Sequence, residues 1–108
     1  MRYEDKISKI KELARFLINE LNIKDRIIVR FCDRMVYRGS YSYIRRKHYI
    51  TLNKKDNYYT LVDSLIHEIA HCLDVNFTRN EHSREWGTQF AKVYRAYLKW
   101  DKIHSLSN

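Results

Sequence analysis

The stretch TLVDSLIHEIAHCLD, residues 60–74, decides how this chain is organised. Its apolar residues recur every three or four positions, which predicts a helix over residues 57–75. The opening letters TLVD suit a capping box, with Asp in place of the usual Glu or Gln. The two histidines of the stretch are four positions apart, and a glutamate follows the first directly. We therefore expect one helix that presents two imidazoles on one face and an apolar surface on the other.

The segments on either side of this helix have their own periodicities. Apolar residues form one helical stripe over residues 3–21, and the β-branched and aromatic run RIIVRFC predicts a strand over residues 26–32. Residues 35–53 predict two more strands with a turn near residues 45–48. A last helix is predicted from about residue 83 to 99. The order is typical of an α+β fold with an N-terminal helix, a small three-stranded sheet, the histidine-bearing helix and a C-terminal helix.

The composition indicates a small globular protein. The chain has 108 residues, of which 44% are hydrophobic, which suits a single domain over residues 1–108. No apolar run approaches the length of a membrane span, and the charged first residues lack the apolar core of a signal peptide. Two cysteines, Cys32 and Cys72, are expected to be reduced and partly buried. These features predict a monomer in the cytoplasm that does not associate with a membrane.

The net charge of +8 is concentrated in one segment. Residues 24–55 contain ten basic and two acidic residues (10 − 2 = +8), and the rest of the chain has eleven of each (11 − 11 = 0). A basic segment attracts polyanions because their condensed counterions are released. DNA is the candidate polyanion, with phosphates contacting the densest basic run, Arg45, Arg46 and Lys47, and with a tyrosine stacked on an exposed base. The alternative is a solvated face that only aids solubility.

The H-E-x-x-H spacing suits one zinc ion. Zinc binds neutral imidazole nitrogens in a tetrahedral set, and His67 and His71 can converge on one ion from a single helix face. Glu68 is rotated by about 100° from the first histidine, so it lies beside the ion. There it can take a proton from a water and pass it to a leaving amine. Asp74 is a candidate acceptor for the second N–H of a ligand histidine.

A catalytic zinc site has three protein ligands and one open position. We favour His82 as the third ligand, because it follows the second histidine by eleven residues, after a polar, loop-like segment. A carboxylate can also be the third ligand, so Glu85 and Glu81 are its competitors. The remaining histidines are expected to be ordinary surface or half-buried residues: His48 and His104.

These motifs together resemble a known family. LIHEIAHCLD, followed by EHSREWGTQFAKVY, resembles the zinc-site half of the SprT-like metallopeptidases, which belong to the zincin superfamily. The upstream segment RGSYSYIRRKHYITLN is similar to the part of that family that precedes the active helix. The resemblance implies a minimal zincin-like fold with His67, His71 and His82 as zinc ligands and Glu68 as the general base.

The resemblance also implies what the protein acts on. In zincins an edge strand above the active helix pairs with the backbone of a peptide substrate. Here that strand would be about residues 49–53, with four substrate-binding residues: Tyr49, Ile50, Thr51 and Leu52. Some SprT-like relatives act on proteins attached to DNA, which would fit the basic segment. The function implied is zinc-dependent hydrolysis of peptide bonds, with DNA-associated proteins as candidate substrates.

Two questions stay open at the level of sequence. A peptidase needs a group that stabilises the oxyanion, and three residues are candidates: Arg84, Tyr94 and Tyr97. The alternative function is a non-enzymatic nucleic-acid-binding domain with a structural zinc, which would need a closed set of four ligands. No fourth strong ligand is evident, and such a site would not need Glu68.

Overall fold

Helix, three strands and two helices follow one another in a computed structural model that describes residues 2–33, 39–74 and 84–106. This order confirms the predicted α+β class with its three-stranded sheet. The elements are α1 (Tyr3–Glu20), β1 (Arg26–Cys32), β2 (Gly39–Ile44), β3 (Lys47–Asn53), α2 (Tyr58–Asp74) and α3 (Arg84–Leu106).

The third strand along the chain is the middle strand of the sheet. The strand order is β1-β3-β2, with β3 parallel to β1 and antiparallel to β2. The prediction that residues 49–53 form an edge strand is therefore wrong, because both sides of β3 are paired. Ile50 and Leu52 are fully buried as well. Pairing of a substrate backbone with Tyr49, Ile50, Thr51 and Leu52 is not compatible with this topology.

Strands β2 and β3 form a hairpin with a two-residue turn. Ile44 pairs with Lys47, so Arg45 and Arg46 alone make the turn, at the start of the range predicted for it. Both have positive φ angles, 52° and 64°. Two-residue hairpin turns of type I′ require this left-handed conformation, which favours Asn and Gly. Two arginines therefore occupy positions that cost them conformational energy.

Helix α2 lies against the sheet and is buried over most of its surface. It begins at Tyr58, where the Asn57 side chain accepts a hydrogen bond from the backbone N–H of Thr60 (2.9 Å). Asn57 is thus the capping residue, three positions before the predicted capping box. Leu61, Leu65 and Ile69 are fully buried beneath the helix. A helix held by this packing is a rigid base for the histidines that it carries.

The two outer helices complete the core. The Lys6 ammonium of α1 donates hydrogen bonds to the carbonyl oxygens of Lys54 (3.1 Å) and Asp56 (2.8 Å), which ties α1 to the loop before α2. The ring of Phe16 lies 5.5 Å from that of Trp100 on α3. The fully buried side chains outside α2 are Ile10, Leu13, Leu17, Ile50, Leu52 and Val93. None of the helices in the described ranges is long and apolar enough to cross a membrane.

Candidate metal centre

The two histidines of α2 turn the same nitrogen toward each other. Nε2 of His67 and Nε2 of His71 are 3.3 Å apart. In a tetrahedral zinc site with bonds of about 2.0–2.1 Å, two ligand nitrogens lie about 3.3–3.4 Å apart. The pair thus has the separation that one bound ion requires. This convergence follows from the four-residue spacing on a straight helix.

Glu68 lies beside this pair in a protected position. Its Oε1 is 3.8 Å from Nε2 of His67, and the residue is 5% exposed. The ligand atoms of His67, Glu68 and His71 all lie within 4.8 Å of one another. In the described part of the chain, no other group of three or more His, Cys, Asp or Glu residues has this arrangement. The group can hold a metal ion, and its nitrogen and oxygen donors suit first-row divalent metals.

A cavity of about 300 Å³ opens onto this group. It is lined by Gly39, Asp63, Ser64, His67 and Glu68. Gly39 is the first residue of β2, and a Cβ atom there would lie 3.4 Å from Cγ of Glu68. The absence of a side chain at this position leaves the carboxylate open to the cavity. Strand β2 therefore begins directly over the glutamate, an arrangement that requires the sheet order seen here.

An indole covers the histidines from the other side. Trp86, in the first turn of α3, has its ring centroid 4.9 Å from that of His67 and 5.5 Å from that of His71. The periodicity of α3 assigns Trp86 to the apolar side of the helix and does not place it at the metal centre. Contact between Trp86 and the two imidazoles depends on how α3 packs on α2, which no local pattern encodes.

A tyrosine of β2 packs against the second histidine. The rings of Tyr41 and His71 are 5.6 Å apart with an interplanar angle of 19°, which is a stacked arrangement. The Tyr41 hydroxyl is hydrogen-bonded to Nδ1 of His48 (2.8 Å). His48 is only 2% exposed, so the prediction of an ordinary surface or half-buried residue is wrong. Burial lowers the pKa of His48 and raises that of Tyr41.

The predicted third ligand, His82, lies outside the described residues, as does its competitor Glu81. Glu85 is exposed and does not belong to the His67, Glu68 and His71 group. Asp74 is buried at the end of α2, and this burial raises the pKa of its carboxyl. The interaction with His71 lowers that pKa, and the interaction with Glu85 raises it.

The candidate oxyanion groups lie along α3. Arg84 is its first residue, and the other two belong to a row of aromatic rings in which successive centroids are 5.2, 6.3 and 6.2 Å apart: Trp86, Phe90, Tyr94 and Tyr97. Tyr94 is 43% exposed, and burial raises the pKa of Tyr97 to about 12. His104 is exposed, as predicted, and stacks on Trp100.

The residues predicted to contact nucleic acid form the tip of the β2–β3 hairpin. Arg45, Arg46 and Lys47 are all exposed, and the neighbouring Ile44 is 55% exposed. Side chains at this tip point into solvent rather than into the core. The surface is thus free to meet a polyanion, and it includes an exposed apolar side chain.

No known protein family, no curated protein and no solved structure matches this chain. No function can therefore be transferred from a relative. The chemistry is therefore inferred from the donor atoms of α2 and from the side chains that pack on them.

Proposed function

We propose that this chain is a zinc-dependent metallopeptidase. The observation that carries the proposal is the 3.3 Å separation of Nε2 of His67 from Nε2 of His71, with the Glu68 carboxylate 3.8 Å from the first of them. Two imidazoles and an adjacent carboxylate are the parts that a zinc hydrolase needs on its active helix. The resemblance of the sequence motifs to those of the SprT-like metallopeptidases supports the same assignment.

The residues of the site have distinct roles in this proposal. His67, His71 and His82 would hold the zinc ion, which supplies Lewis acidity toward a peptide carbonyl and toward a water. Glu68 takes the proton of the attacking water and delivers it to the leaving amine. Its burial beside the histidines keeps the carboxylate in place between the two proton transfers. Trp86 excludes water from one side of the histidine pair.

The position of His82 in the sequence supports its role as third ligand. It is four residues before Trp86, whose ring contacts both imidazoles of α2. The chain thus enters α3 next to the metal centre. Glu85, the alternative on α3, is exposed and is not a member of the His67, Glu68 and His71 group.

The peptide substrate would pair with β2 rather than with β3. Among the described residues, β2 has a strand partner on one side only, and its first residue, Gly39, borders the cavity next to Glu68. An extended peptide added along β2 would gain backbone hydrogen bonds and pass the carboxylate at the glycine. This assignment keeps the predicted mode of binding and moves it to the neighbouring strand.

The experiment that tests the proposal measures zinc content and peptide hydrolysis together. Elemental analysis after dialysis against a mild chelator should give one zinc per chain in the wild type and in Glu68→Gln, and none in His82→Ala. An unfolded protein substrate should be cleaved by the wild type and by the matched control Glu85→Gln. Cleavage by Glu68→Gln should be about 10²–10⁴-fold slower, the usual contribution of a general base.

Two results would contradict the proposal. A wild type without zinc would mean that the histidine pair is only an N–H···N hydrogen bond. Equal cleavage by the wild type and Glu68→Gln would remove the glutamate from the mechanism. If His82→Ala retains zinc, another residue must be the third ligand, and the rest of the proposal is unaffected.

A second function, binding of DNA, is favoured by the hairpin turn. Arg45 and Arg46 both have left-handed backbone conformations that Asn or Gly would adopt at lower energy. Both side chains are exposed and lie outside the core, and Arg46 interacts with Tyr43. The two positive charges at the tip favour contact with a polyanion. We propose that this tip contacts DNA phosphates, either to direct peptidase activity to DNA-associated proteins or, alternatively, in a zinc-containing domain without enzymatic activity.

Fluorescence anisotropy with labelled duplex and single-stranded DNA over a salt series tests this second function. Arg45→Gln/Arg46→Gln should bind more weakly and reduce the slope of log K against log[salt] by about 2 in magnitude on duplex DNA. The matched control is Lys11→Gln/Arg15→Gln, which neutralises two exposed charges on α1. Equal losses in both variants would contradict a specific role of the tip. DNA binding by a protein that does not cleave peptides would favour the non-enzymatic alternative.

A further inference from the structure

A series of five side chains connects Asp25, the residue before β1, with the proposed metal centre. Oδ2 of Asp25 accepts a hydrogen bond from the Tyr43 hydroxyl (2.7 Å), and the Tyr43 ring packs on the His48 ring with centroids 4.7 Å apart. Nδ1 of His48 is hydrogen-bonded to the Tyr41 hydroxyl (2.8 Å), and the Tyr41 ring stacks on the ring of His71. These residues come from the loop before β1, the hairpin and α2, and they meet only in the folded protein.

We propose that Tyr41, held in place by His48, is a positioning residue that sets the ring orientation of His71 for metal binding. The inference rests on the proposed metal site. A ligand imidazole must point its nitrogen lone pair at the ion in the plane of its own ring. Rotation of a histidine ring about its second side-chain torsion has only a shallow preference of its own. A phenol ring stacked at 19° restricts this rotation to orientations that keep Nε2 directed at Nε2 of His67.

The hydrogen bond between Tyr41 and His48 is best explained by a need to fix the position of the Tyr41 ring. His48 is 2% exposed, and burying an imidazole is unfavourable unless it is hydrogen-bonded. Apolar side chains of similar shape at both positions would fill the space without this cost. The hydrogen bond between the Tyr41 hydroxyl and Nδ1 of His48 restrains the phenol ring from sliding or tilting on His71, a restraint that a phenylalanine would lack. Tyr43 and Asp25 in turn hold the His48 ring from the opposite side.

Zn²⁺ affinity and the Co²⁺ absorption spectrum test this role in the intact chain. Residues that orient a metal ligand typically contribute 10–100-fold to metal affinity. Tyr41→Phe and His48→Leu should each weaken Zn²⁺ binding by about 10-fold, measured by competition with a chromophoric chelator. Both should also shift the visible bands of bound Co²⁺, because those bands report ligand geometry. His48→Gln retains a hydrogen-bonding group and should recover most of the affinity.

The controls separate positioning from a general loss of structure. Tyr58→Phe removes a hydroxyl from another half-buried tyrosine, nine residues before His67, and should leave both readouts unchanged. Chemical denaturation of each metal-free variant reports whether it folds. Wild-type affinity and an unchanged Co²⁺ spectrum in folded Tyr41→Phe would overturn the inference while leaving the proposed function intact. A wild type that binds neither ion would overturn the proposed function and this inference with it.

Discussion

The candidate metal centre on α2 and the turn at Arg45 and Arg46 are built in opposite ways. At the candidate metal centre the donor atoms lie on a largely buried helix, and the rings of Tyr41 and Trp86 pack on His71. At the turn the side chains are in solvent, and the backbone has left-handed φ angles. A metal ion requires its ligand atoms to be held within tenths of an ångström, whereas attraction to a polyanion requires only accessible charge. The packing of each region thus matches the precision that its proposed chemistry needs.

The two regions also destabilise the fold in different ways. The metal centre places Glu68 and His71 in a largely buried position, where a charged form is poorly solvated. The turn keeps its residues solvated but holds two non-glycine residues in a conformation that costs about 1–2 kcal/mol each. Such costs are often found where function, rather than stability, determines the residue.

The largest effect is expected from removing one of the two histidine ligands on α2. His71→Ala should weaken Zn²⁺ binding by at least about 100-fold, because a ligand contributes more than the residues that orient it. The control is His104→Ala on α3, which should bind like the wild type. Competition with a chromophoric chelator gives both affinities. Unchanged binding in His71→Ala would mean that the precise geometry of α2 serves packing alone, and the contrast with the turn would fail.

At the turn, a smaller effect is expected, and it is a gain in stability rather than a loss of binding. Arg46→Gly should raise the free energy of unfolding by about 1 kcal/mol, because glycine adopts the left-handed conformation without strain. The same variant should bind DNA more weakly, since it lacks one charge. Urea denaturation measures the stability, and Arg15→Gly on the exposed face of α1 should instead lose about 1 kcal/mol. A destabilised Arg46→Gly would show that the turn is supported by contacts of the arginine and is not strained.

Next to the candidate metal centre, one position on α3 is expected to tolerate an added methyl group. Gly87 follows Trp86 on α3, and a Cβ atom there would meet nothing within 4 Å. Gly87→Ala should therefore stabilise the protein by about 0.5 kcal/mol through helix propensity alone. Gly39→Ala is the contrasting variant, because its Cβ atom would lie 3.4 Å from Glu68 Cγ and no gain is expected. If Gly87→Ala instead lowers the free energy of unfolding, another part of the chain must lie within contact distance of Gly87, contrary to the structure.

The smallest expected effect is the contribution of His48 to the pH dependence of stability. His48 lies two residues after the turn and contacts Tyr41, which packs on His71. Burial lowers its pKa below the usual 6.5, and the charge of Asp25 partly opposes this. The folded state therefore favours the neutral ring. Its contribution to stability is complete above about pH 6.5 and is lost as the pH falls through the lowered value.

Denaturation of the metal-free protein between pH 8 and pH 5 measures this contribution. The groups that contact or face the His48 ring are Tyr41, Tyr43 and Asp25. The wild type should lose more stability on acidification than His48→Gln, whose amide does not titrate. Parallel curves for the two proteins would mean that His48 is as well solvated folded as unfolded, contrary to its burial.

Local periodicity was enough to predict most of the elements and the centre of the site. The 3.6-residue period of α2 predicts that His67 and His71 converge, because positions four apart are placed together by helix geometry alone. Strand β1 has the predicted bounds, residues 26–32, because its β-branched run has no competing helical pattern. The end of α3 was less predictable: the helix continues to Leu106, seven residues past the predicted end, as Trp100 packs on α1 and on His104.

Tertiary structure alone decided which residues surround the histidines. The sequence by itself determined the α+β class, the helix that carries H-E-x-x-H, and the charged hairpin, since each depends on neighbours a few positions apart. It did not determine that β3 is the middle strand, that Gly39 lies over Glu68, or that Tyr41 and Trp86 pack on the imidazoles. These contacts join residues far apart in the chain, and they depend on strand order and helix packing, which no local period records.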